Sequence, residues 1–552
     1  MERISDICVF RSNPLHKVPQ VGKVPTKEDS PVMNTSDYDV VILGGAFSGA
    51  TSGILLKRQH PSLRVLIVEK STKFDRKVGE STSEVAGCFL TRSLGLEAHL
   101  SREQITKHGL RMWFNQGNNQ CPSRCAEIGS YYQVRLPTYQ LDRSMLDTHL
   151  LQEAKDLGCE IWRPASVKEF SLNGIGNNKL LINRDGTKHE IHAKWVVDAS
   201  GKASLVARKL GHLQKLESHK TSAIWARFKN VSDLDNSDLK KRFPDFADAV
   251  RCPRNQATNH LMGYGWWSWI IPLKNGEVSA GLTYDRELFT PPDGKNQTER
   301  LHKHLLTHPI GKEMFGEAIP VEKDTRSYSD LAYYSKKPAD EGWICVGDAA
   351  GFIDPLYSQG LDYCAHSVSF AAQIIGKHHR GSCVKADLTD YAQQFVSSYM
   401  RWYKALYQGK YRYLGDAELM NAAFWLDIGT YFIGPVRLVH DDPKAEFPRF
   451  PYYGTAGKIF ANFMKFYNRR LGIIGSKRYA AGKYGRGNLD KRYLIHEGFA
   501  PCKKAASKVI VKGIFKWLRL EASALALPRA TKKSQETSTA AEVMEQKLTT
   551  DP

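Results

Sequence analysis

Apolar residues first gather at residues 38–43, a short run typical of a strand buried in a parallel sheet. A glycine-rich turn follows at residues 44–50, and the pattern then predicts a helix over 51–58 and a second strand over 64–69. Together these segments predict a βαβ unit of about thirty residues, the length that a dinucleotide-binding fold requires.

Later segments extend this sheet and add another. Residues 195–201 form a strand that ends in small residues, and residues 343–346 form one that ends in a Gly-Asp turn. Between them, residues 220–340 alternate apolar and polar positions, for example at 223–228 and 279–284. This alternation predicts a mainly antiparallel sheet inserted between strands of the first fold.

The composition divides the chain into four parts. Residues 1–36 are polar with four prolines and predict a disordered leader, and residues 528–552 predict a disordered tail. Residues 37–386 form the α/β module with its interleaved sheet, and residues 387–527 form a helical, aromatic lobe. Three tyrosines of that lobe recur at four-residue spacing, which favours core packing: Tyr403, Tyr407 and Tyr411.

Composition and charge exclude several classes of protein. No apolar stretch approaches the roughly 20 residues that a membrane-spanning helix needs. Of the ten cysteines, Cys121 and Cys125 are the only close pair, so we expect reduced thiols in a cytoplasmic protein and no zinc or other metal site. The net charge of +20 is spread widely without a nucleic-acid module, and we interpret it as solvated surface.

The glycine-rich turn carries the first candidate site. Glycines at a strand-to-helix turn let the backbone approach a pyrophosphate, whose charge then lies at the helix N-terminus. Glu69 ends the second strand 20 residues after Gly49, where a carboxylate can bind ribose hydroxyls. Ala46 replaces the middle glycine of the usual motif, and its methyl crowds the closest approach. A plain tight turn is the alternative. The predicted binding residues of the turn are Gly44, Gly45, Ala46, Phe47, Ser48, Gly49 and Ala50.

Three further segments resemble motifs of the group-A flavin monooxygenases. Arg143 stands where that family begins a helix with an arginine, and residues 195–201 resemble its strand end near the adenosine. Gly347 and Asp348 resemble its second Gly-Asp motif, in which the aspartate binds the ribityl chain. The resemblance implies FAD as the cofactor.

Within that superfamily the chain resembles the flavin-dependent halogenases. Residues 267–272 contain W-x-W-x-I-P, a signature of the family, in which these tryptophans wall the substrate off from the flavin. The resemblance implies that role for Trp267 and Trp269, and a tryptophan-rich core strand is the alternative. Lys107, before an apolar strand, matches the family's essential lysine.

The family's chemistry explains this lysine. Reduced FAD reacts with oxygen to give a hydroperoxide, which halide attacks to yield hypohalous acid. A lysine ammonium can hydrogen-bond that oxidant, or the amine can form a haloamine, and a lysine in a dry pocket shifts its pKa readily. Lys107 would thus deliver the halogen, with Ser358 as its hydrogen-bonded neighbour.

The segment 352–361 resembles the family's halide site beside the flavin. The resemblance implies that the backbone amides of Gln359 and Gly360 bind chloride or bromide, and such an anion nest is physically reasonable. Flavin contacts are implied at Pro355, Gly360 and Leu361. Residues 76–81 resemble the family's strap over the flavin, with contacts implied at Arg76, Val78 and Gly79.

Tyr357 departs from the tryptophan halogenases, which carry a glutamate there to take the proton from the ring. Phenols and pyrroles activate their own rings and tolerate its loss better. The resemblance, which covers about residues 37–390, is therefore closer to the phenol and pyrrole branch.

A basic amphipathic helix is predicted over residues 503–520, with lysines at 504, 508, 512 and 516. It could lie on the cytoplasmic face of a membrane, contact an acidic carrier protein, or cover the protein's own core. Gly513 weakens this helix by about 1 kcal/mol.

The resemblance implies a halogenase of secondary metabolism that acts on an electron-rich aromatic ring, either free or carrier-tethered. No second nucleotide motif is visible, so a separate flavin reductase would supply FADH2. One alternative is an FAD enzyme that hydroxylates, epoxidises or reduces an aromatic, polyene or lipid-like substrate without halide. Another is a flavin-binding protein that has lost turnover and works through its basic lobe.

Overall fold

The predicted βαβ unit forms the centre of a mainly parallel sheet in the computed structural model, which describes residues 37–75, 77–442, 446–447, 449–496 and 503–525. Tyr38–Leu43 lies between Thr187–Asp198 on one side and Val65–Val68 on the other, and both pairings are parallel. The remaining strands of this sheet are Trp343–Cys345, Ala339–Asp340, Glu160–Trp162, Ala165–Ser171 and Asn178–Arg184. The sheet is the dinucleotide fold that the sequence predicts.

A second sheet, mainly antiparallel, comes from the segment predicted to alternate. Thr221–Lys229 pairs antiparallel with Val278–Asp285, which pairs in turn with Trp266–Pro272. Its other strands are Ile319–Pro320, Arg326–Ser329, Thr258–Gly263, Leu110–Phe114, Ala126–Ser130 and Arg492–Ile495. The predicted fold class is therefore confirmed. Arg492–Ile495 comes from the region predicted to be helical and pairs parallel with Ala126–Ser130, because a strand distant in sequence completes this edge.

Helices cover both sheets and form the C-terminal part of the described chain. The first helix, Phe47–Gln59, begins four residues before the predicted one because the end of the glycine-rich turn is already its first turn. The other α-helices are Glu84–Cys88, Glu97–Glu103, Arg143–Asp156, Leu205–Lys209, Ser237–Arg242, Pro244–Ala247, Gln297–Leu306, Pro309–Phe315, Gly360–His379, Lys385–Trp402, Ala417–Tyr431, Arg437–Asp441, Gly454–Ala480 and Lys503–Leu525.

Buried apolar side chains of the parallel sheet and of the C-terminal helices form one continuous core, which runs from Val40 to Leu520. A smaller core lies between the antiparallel sheet and the helices Gln297–Leu306 and Pro309–Phe315. In the part of the chain that the structure describes, no helix combines the length and apolar character needed to cross a membrane. The predicted leader and tail lie outside the described residues, and the division into four parts stays a prediction.

The basic C-terminal helix, Lys503–Leu525, covers the protein's own core with one face. Val509 and Trp517 are buried there, and the helix lies against Ala417–Tyr431. A Cβ at Gly513 would meet Leu426 at 2.8 Å, so the residue that weakens the helix also permits its close approach. Phe515 and other apolar residues of the opposite face remain exposed.

Candidate active site

The glycine-rich turn has the geometry of a phosphate-binding loop. Gly44 has φ +105°, and a Cβ there would lie 2.6 Å from the carbonyl oxygen of Ala199. A Cβ at Gly49 would lie 1.8 Å from the carbonyl oxygen of Gly44, so only glycine lets the helix begin this close to the strand. Ala46 is the N-cap of that helix, and no side chain caps its first amides. Such uncapped amides at a helix N-terminus suit a pyrophosphate.

Two carboxylates flank the turn. Glu69 is buried and accepts hydrogen bonds from the amides of Gly45, at 2.8 Å, and Ser71, at 2.9 Å. Although burial opposes ionisation, these hydrogen bonds hold the pKa of Glu69 below its ordinary value. Asp348 is exposed, and its carboxylate makes no hydrogen bond to another described residue. A Cβ at Gly347 would lie 2.4 Å from Ser48 Oγ, so the two glycine turns meet.

The strap is tied to the same region through its backbone. Arg143 donates to the carbonyl oxygens of Val78, at 3.0 Å, and Gly79, at 3.4 Å, and it forms a salt bridge with Asp147 at 3.1 Å. Arg143 thus binds the backbone of the strap directly. Glu80 continues the strap and is buried against Arg227 at 2.6 Å. Arg76, another predicted flavin contact, lies outside the described residues.

These features fit FAD. The uncapped turn would hold its pyrophosphate, Glu69 a ribose, and Asp348 the ribityl chain, with the strap over one side. Bound there, FAD supplies the redox chemistry and the reaction with oxygen.

The close approach of Gly49 to Gly44 gives a testable prediction about FAD binding. Replacement of Gly49 by alanine should cost about 1–3 kcal/mol of folding stability through overpacking, and should abolish FAD retention during gel filtration. The measurement is the flavin absorbance of the purified variant together with its thermal unfolding. Gly434→Ala is the matched control, because its added Cβ would meet only Tyr452 at 4.0 Å. A Gly49→Ala protein that keeps its flavin would contradict this assignment of the turn.

Lys107 is buried, with 3% of its surface exposed. Its Nζ donates to the carbonyl oxygen of Thr82 at 2.6 Å, and no hydrogen bond joins it to Ser358 among the described residues. Burial lowers the pKa of Lys107 to about 8, although the carboxylates of Glu84 and Asp362 oppose that shift. The ammonium therefore predominates at neutral pH and keeps two N–H donors for another partner.

Asp362 links Lys107 to the segment 352–361. It lies in the helix Gly360–His379, fully buried, and accepts hydrogen bonds from Ser83 and Tyr431. Burial raises the pKa of Asp362 to about 7. His260 is also near enough to feel the charge of Lys107, and burial together with that ammonium lowers the pKa of His260 to about 3. Its ring contacts Trp267 at 4.9 Å.

The predicted halide amides head the helix Gly360–His379. Tyr357 and Ser358 have φ of +71° and +60°, a sharp turn after which the amides of Gln359 and Gly360 lack an acceptor among the described residues. Leu361 begins the buried part of the helix, and Pro355 precedes the turn. Free amides at a helix N-terminus suit an anion.

The two tryptophans lie on one face of the strand Trp266–Pro272, with ring centroids 5.9 Å apart. Both are buried in the main core. Trp267 Nε1 donates to the hydroxyl of Tyr411 at 3.0 Å, and Tyr411 donates to Asp354 at 2.8 Å. The structure thus connects the W-x-W strand to the segment 352–361.

The three tyrosines noted in the sequence are all buried, as core packing predicts. Two of their hydroxyls, however, bind the segment 352–361: Tyr407 donates to Gln359 Oε1 at 2.8 Å, and Tyr411 to Asp354. Tyr403 donates to Ser218 instead. The three tyrosines do not lie on one helix face, because Gly409, with φ +77°, interrupts the helix between Tyr407 and Tyr411. The four-residue spacing identified these residues in the sequence, but it did not indicate that two of them bind the segment 352–361.

A buried polar cluster lies behind Tyr357 and was not recognised in the sequence. The Tyr357 hydroxyl donates to Asp427 at 3.1 Å, and Lys410 Nζ lies 2.7 Å from the same carboxylate. Tyr467 donates to Asp427 at 2.6 Å, and the amide of Asn468 completes the cluster. No signal for this cluster is present in the sequence, because its members come from four segments that are distant in the chain.

Comparisons with known proteins agree with this geometry. The family model described as FAD binding domain matches residues 37–398. A flavin-dependent halogenase, chlA, of Dictyostelium discoideum is 25% identical over 440 residues, which cover 72% of this chain and 69% of that protein. A 1H-pyrrole-2-carbonyl-(peptidyl-carrier protein) chlorinase of Pseudomonas fluorescens is 25% identical over 431 residues, which cover 73% of this chain and 90% of that protein.

A solved structure has the same fold. The halogenase PltM superposes with a TM-score of 0.66 at 17% identity, over 88% of this chain and 98% of its own. Since the family model spans well over half of the chain, the protein belongs to the FAD binding domain family, and it is an FAD-dependent oxidoreductase related to the flavin-dependent halogenases.

Proposed function

We propose that this protein halogenates an electron-rich aromatic ring of the phenol or pyrrole type, with FADH2, oxygen and chloride or bromide as co-substrates. The observation that carries the proposal is the buried Lys107. Its ammonium has two unused donors and interacts with the charge of Asp362, which lies in the helix headed by the free amides. FADH2 would come from a separate flavin reductase. With the flavin bound, its reaction with oxygen would supply the oxidising equivalents that convert halide to hypohalous acid.

In this proposal the protein supplies binding and direction. The amides of Gln359 and Gly360 hold the halide, and the Lys107 ammonium hydrogen-bonds the hypohalous acid and directs its halogen to the substrate. Trp267 and Trp269 close the space between substrate and flavin. Ser358 is partly exposed beside the turn and would contact the oxidant rather than Lys107.

The proposed ammonium role sets a pH dependence. Below about pH 8 Lys107 is protonated and donates, and as pH rises through about 8 it loses the proton and this donor is lost. The halogenation rate should therefore fall about tenfold for each further pH unit. The charged and titratable groups that face it are Glu84, Asp362 and His260.

Product formation at saturating FADH2, followed from pH 6.5 to 9.5, measures this dependence. Hypohalous acid in solution also ionises, so free chemical halogenation of the same substrate by added oxidant is the control. An enzymatic rate that rises above pH 8 would instead favour a haloamine on the neutral amine and contradict the ammonium role.

A substrate panel tests the proposed class. Phenols, pyrroles and indoles would be supplied free with bromide, FAD and a flavin reductase, and pyrrole-2-carboxylate would also be supplied tethered to a carrier protein. The proposal expects bromination of phenol or pyrrole rings and little of indole, since Tyr357 stands where a carboxylate would assist the weaker nucleophile. Preference for indole would contradict it. The proposed carrier contact through residues 503–520 is tested by the tethered arm.

A further inference from the structure

A cavity is lined by Glu84, whose negative charge acts on Lys107. Its volume is about 210 Å³, and its walls include Val134, Leu136, Phe432 and Ile495, which are apolar, and Glu84. An engineered protein cavity of about 150 Å³ accommodates benzene. This cavity is therefore large enough for one substituted aromatic ring.

Glu84 is the carboxylate shared by the cavity and Lys107. It lines the cavity, and it leads the negative charges that stabilise the Lys107 ammonium. It stands two residues after Thr82, whose carbonyl oxygen binds Lys107 Nζ. The Glu84 carboxylate makes no hydrogen bond to another described side chain, and only part of its surface is exposed. A partly exposed carboxylate that accepts from no side chain keeps acceptor positions for a ligand.

Other bases near Lys107 do not reach the cavity. Asp362 is fully buried and occupied by Ser83, Tyr431 and the amide of Ala86. His260 is buried behind Trp267, and its low pKa makes it a poor proton acceptor. Glu84 is thus the acceptor beside Lys107 that a bound ring can touch.

We propose that this cavity receives the aromatic substrate and that Glu84 is the catalytic base that removes the ring proton of a phenol or pyrrole. The inference rests on the proposed function. A ring carbon bonds to the electrophilic halogen of hypohalous acid, and the ring becomes a cation. The halogen–oxygen bond breaks, and the oxygen leaves as hydroxide, which takes up a proton from solvent to become water. The C–H bond at that carbon then breaks, its electron pair restores the aromatic ring, and the proton passes to the Glu84 carboxylate.

Asp362 also feels the charge of Glu84, and three further groups lie near it or line the cavity. The Tyr431 hydroxyl lies close enough to be influenced by its charge, and Arg135 and His496 also line the cavity. Burial raises the pKa of Glu84 while Lys107 opposes that shift. A carboxylate with a raised pKa is a stronger base and remains ionised above that value. Wild-type halogenation should therefore have an acid limb that reports Glu84.

Glu84→Gln tests the inference, with phenol and pyrrole and their ring-deuterated forms as probes. We expect kcat for halogenation to fall about 10²-fold. Loss of the base should slow C–H cleavage, so a normal primary deuterium isotope effect should appear that the wild type lacks, and the acid limb should disappear. Glu84→Asp, which keeps the carboxylate, should recover part of the rate. Consumption of oxygen and release of hypohalous acid should continue.

Asp362→Asn is the matched control, because it removes a second carboxylate beside Lys107 without touching the cavity. Its isotope effect should stay that of the wild type, whatever its rate. The isotope effect is a ratio, so incomplete folding of a variant does not alter it. A Glu84→Gln enzyme with the isotope effect and the acid limb of the wild type would overturn the role of Glu84 but leave the proposed function standing. A wild type that halogenates no probe would overturn the proposed function, and this inference with it.

Discussion

Replacement of Lys107 by alanine should lower halogenation by about 10³-fold, because it removes the donor that directs the oxidant. FAD binding should survive, since the turn, Glu69 and Asp348 lie in other segments. The measurement is product formation per FADH2 oxidised, with flavin content determined on the same sample. Oxygen consumption should continue, so the variant should be uncoupled rather than inert.

Lys404→Ala serves as the control for Lys107, because it removes an exposed lysine of the helical lobe. It should leave coupling unchanged. A Lys107→Ala protein that forms an oxygenated product at the wild-type rate would favour the halide-independent monooxygenase. Complete lack of oxygen consumption in the wild type, with FADH2 and every candidate substrate, would favour the flavin-binding protein without turnover.

Replacement of Asp427 by alanine should destabilise the fold by about 3–5 kcal/mol. Lys410 is fully buried beside it at 2.7 Å, so the variant would leave an uncompensated charge together with unpaired hydroxyls of Tyr357 and Tyr467. Urea unfolding followed by tryptophan fluorescence measures the loss.

A second substitution separates charge from shape in that cluster. In the Asp427→Leu, Lys410→Met double variant both charges are gone, and much of the lost stability should return. A loss of less than about 1 kcal/mol of unfolding free energy in Asp427→Ala lies in the range measured for exposed ion pairs. It would contradict the assignment of this cluster as a buried network that stabilises Tyr357.

The parts of the site that the sequence could predict are local in the chain. Gly44, Gly49 and Glu69 occupy one βαβ unit, and their spacing alone determines which can meet. The antiparallel sheet was likewise predictable, since alternation within each strand reports its two faces. Lys107 was recognised through its motif, but its low exposure and its bond to Thr82 required the fold.

Contacts between segments that are distant in the chain could not be predicted from the sequence. Tyr357 looked like the loss of a catalytic group, yet its hydroxyl is held by Asp427, 70 residues later, in a helix without any motif. Glu84 gave no signal either, because a glutamate at the start of a short helix is ordinary at that position. The cavity that distinguishes Glu84 is lined in part by Phe432 and Ile495, which approach Glu84 only in the folded chain.

Mass spectrometry of products with and without halide tests the proposed halogenation most directly. Purified protein, FAD, a flavin reductase, NADH and oxygen would be incubated with phenol and pyrrole in chloride, in bromide and in halide-free buffer. We expect a mass gain of one halogen for hydrogen that follows the halide supplied and disappears in Lys107→Ala. A gain of one oxygen regardless of halide would contradict halogenation and assign the protein to the monooxygenases.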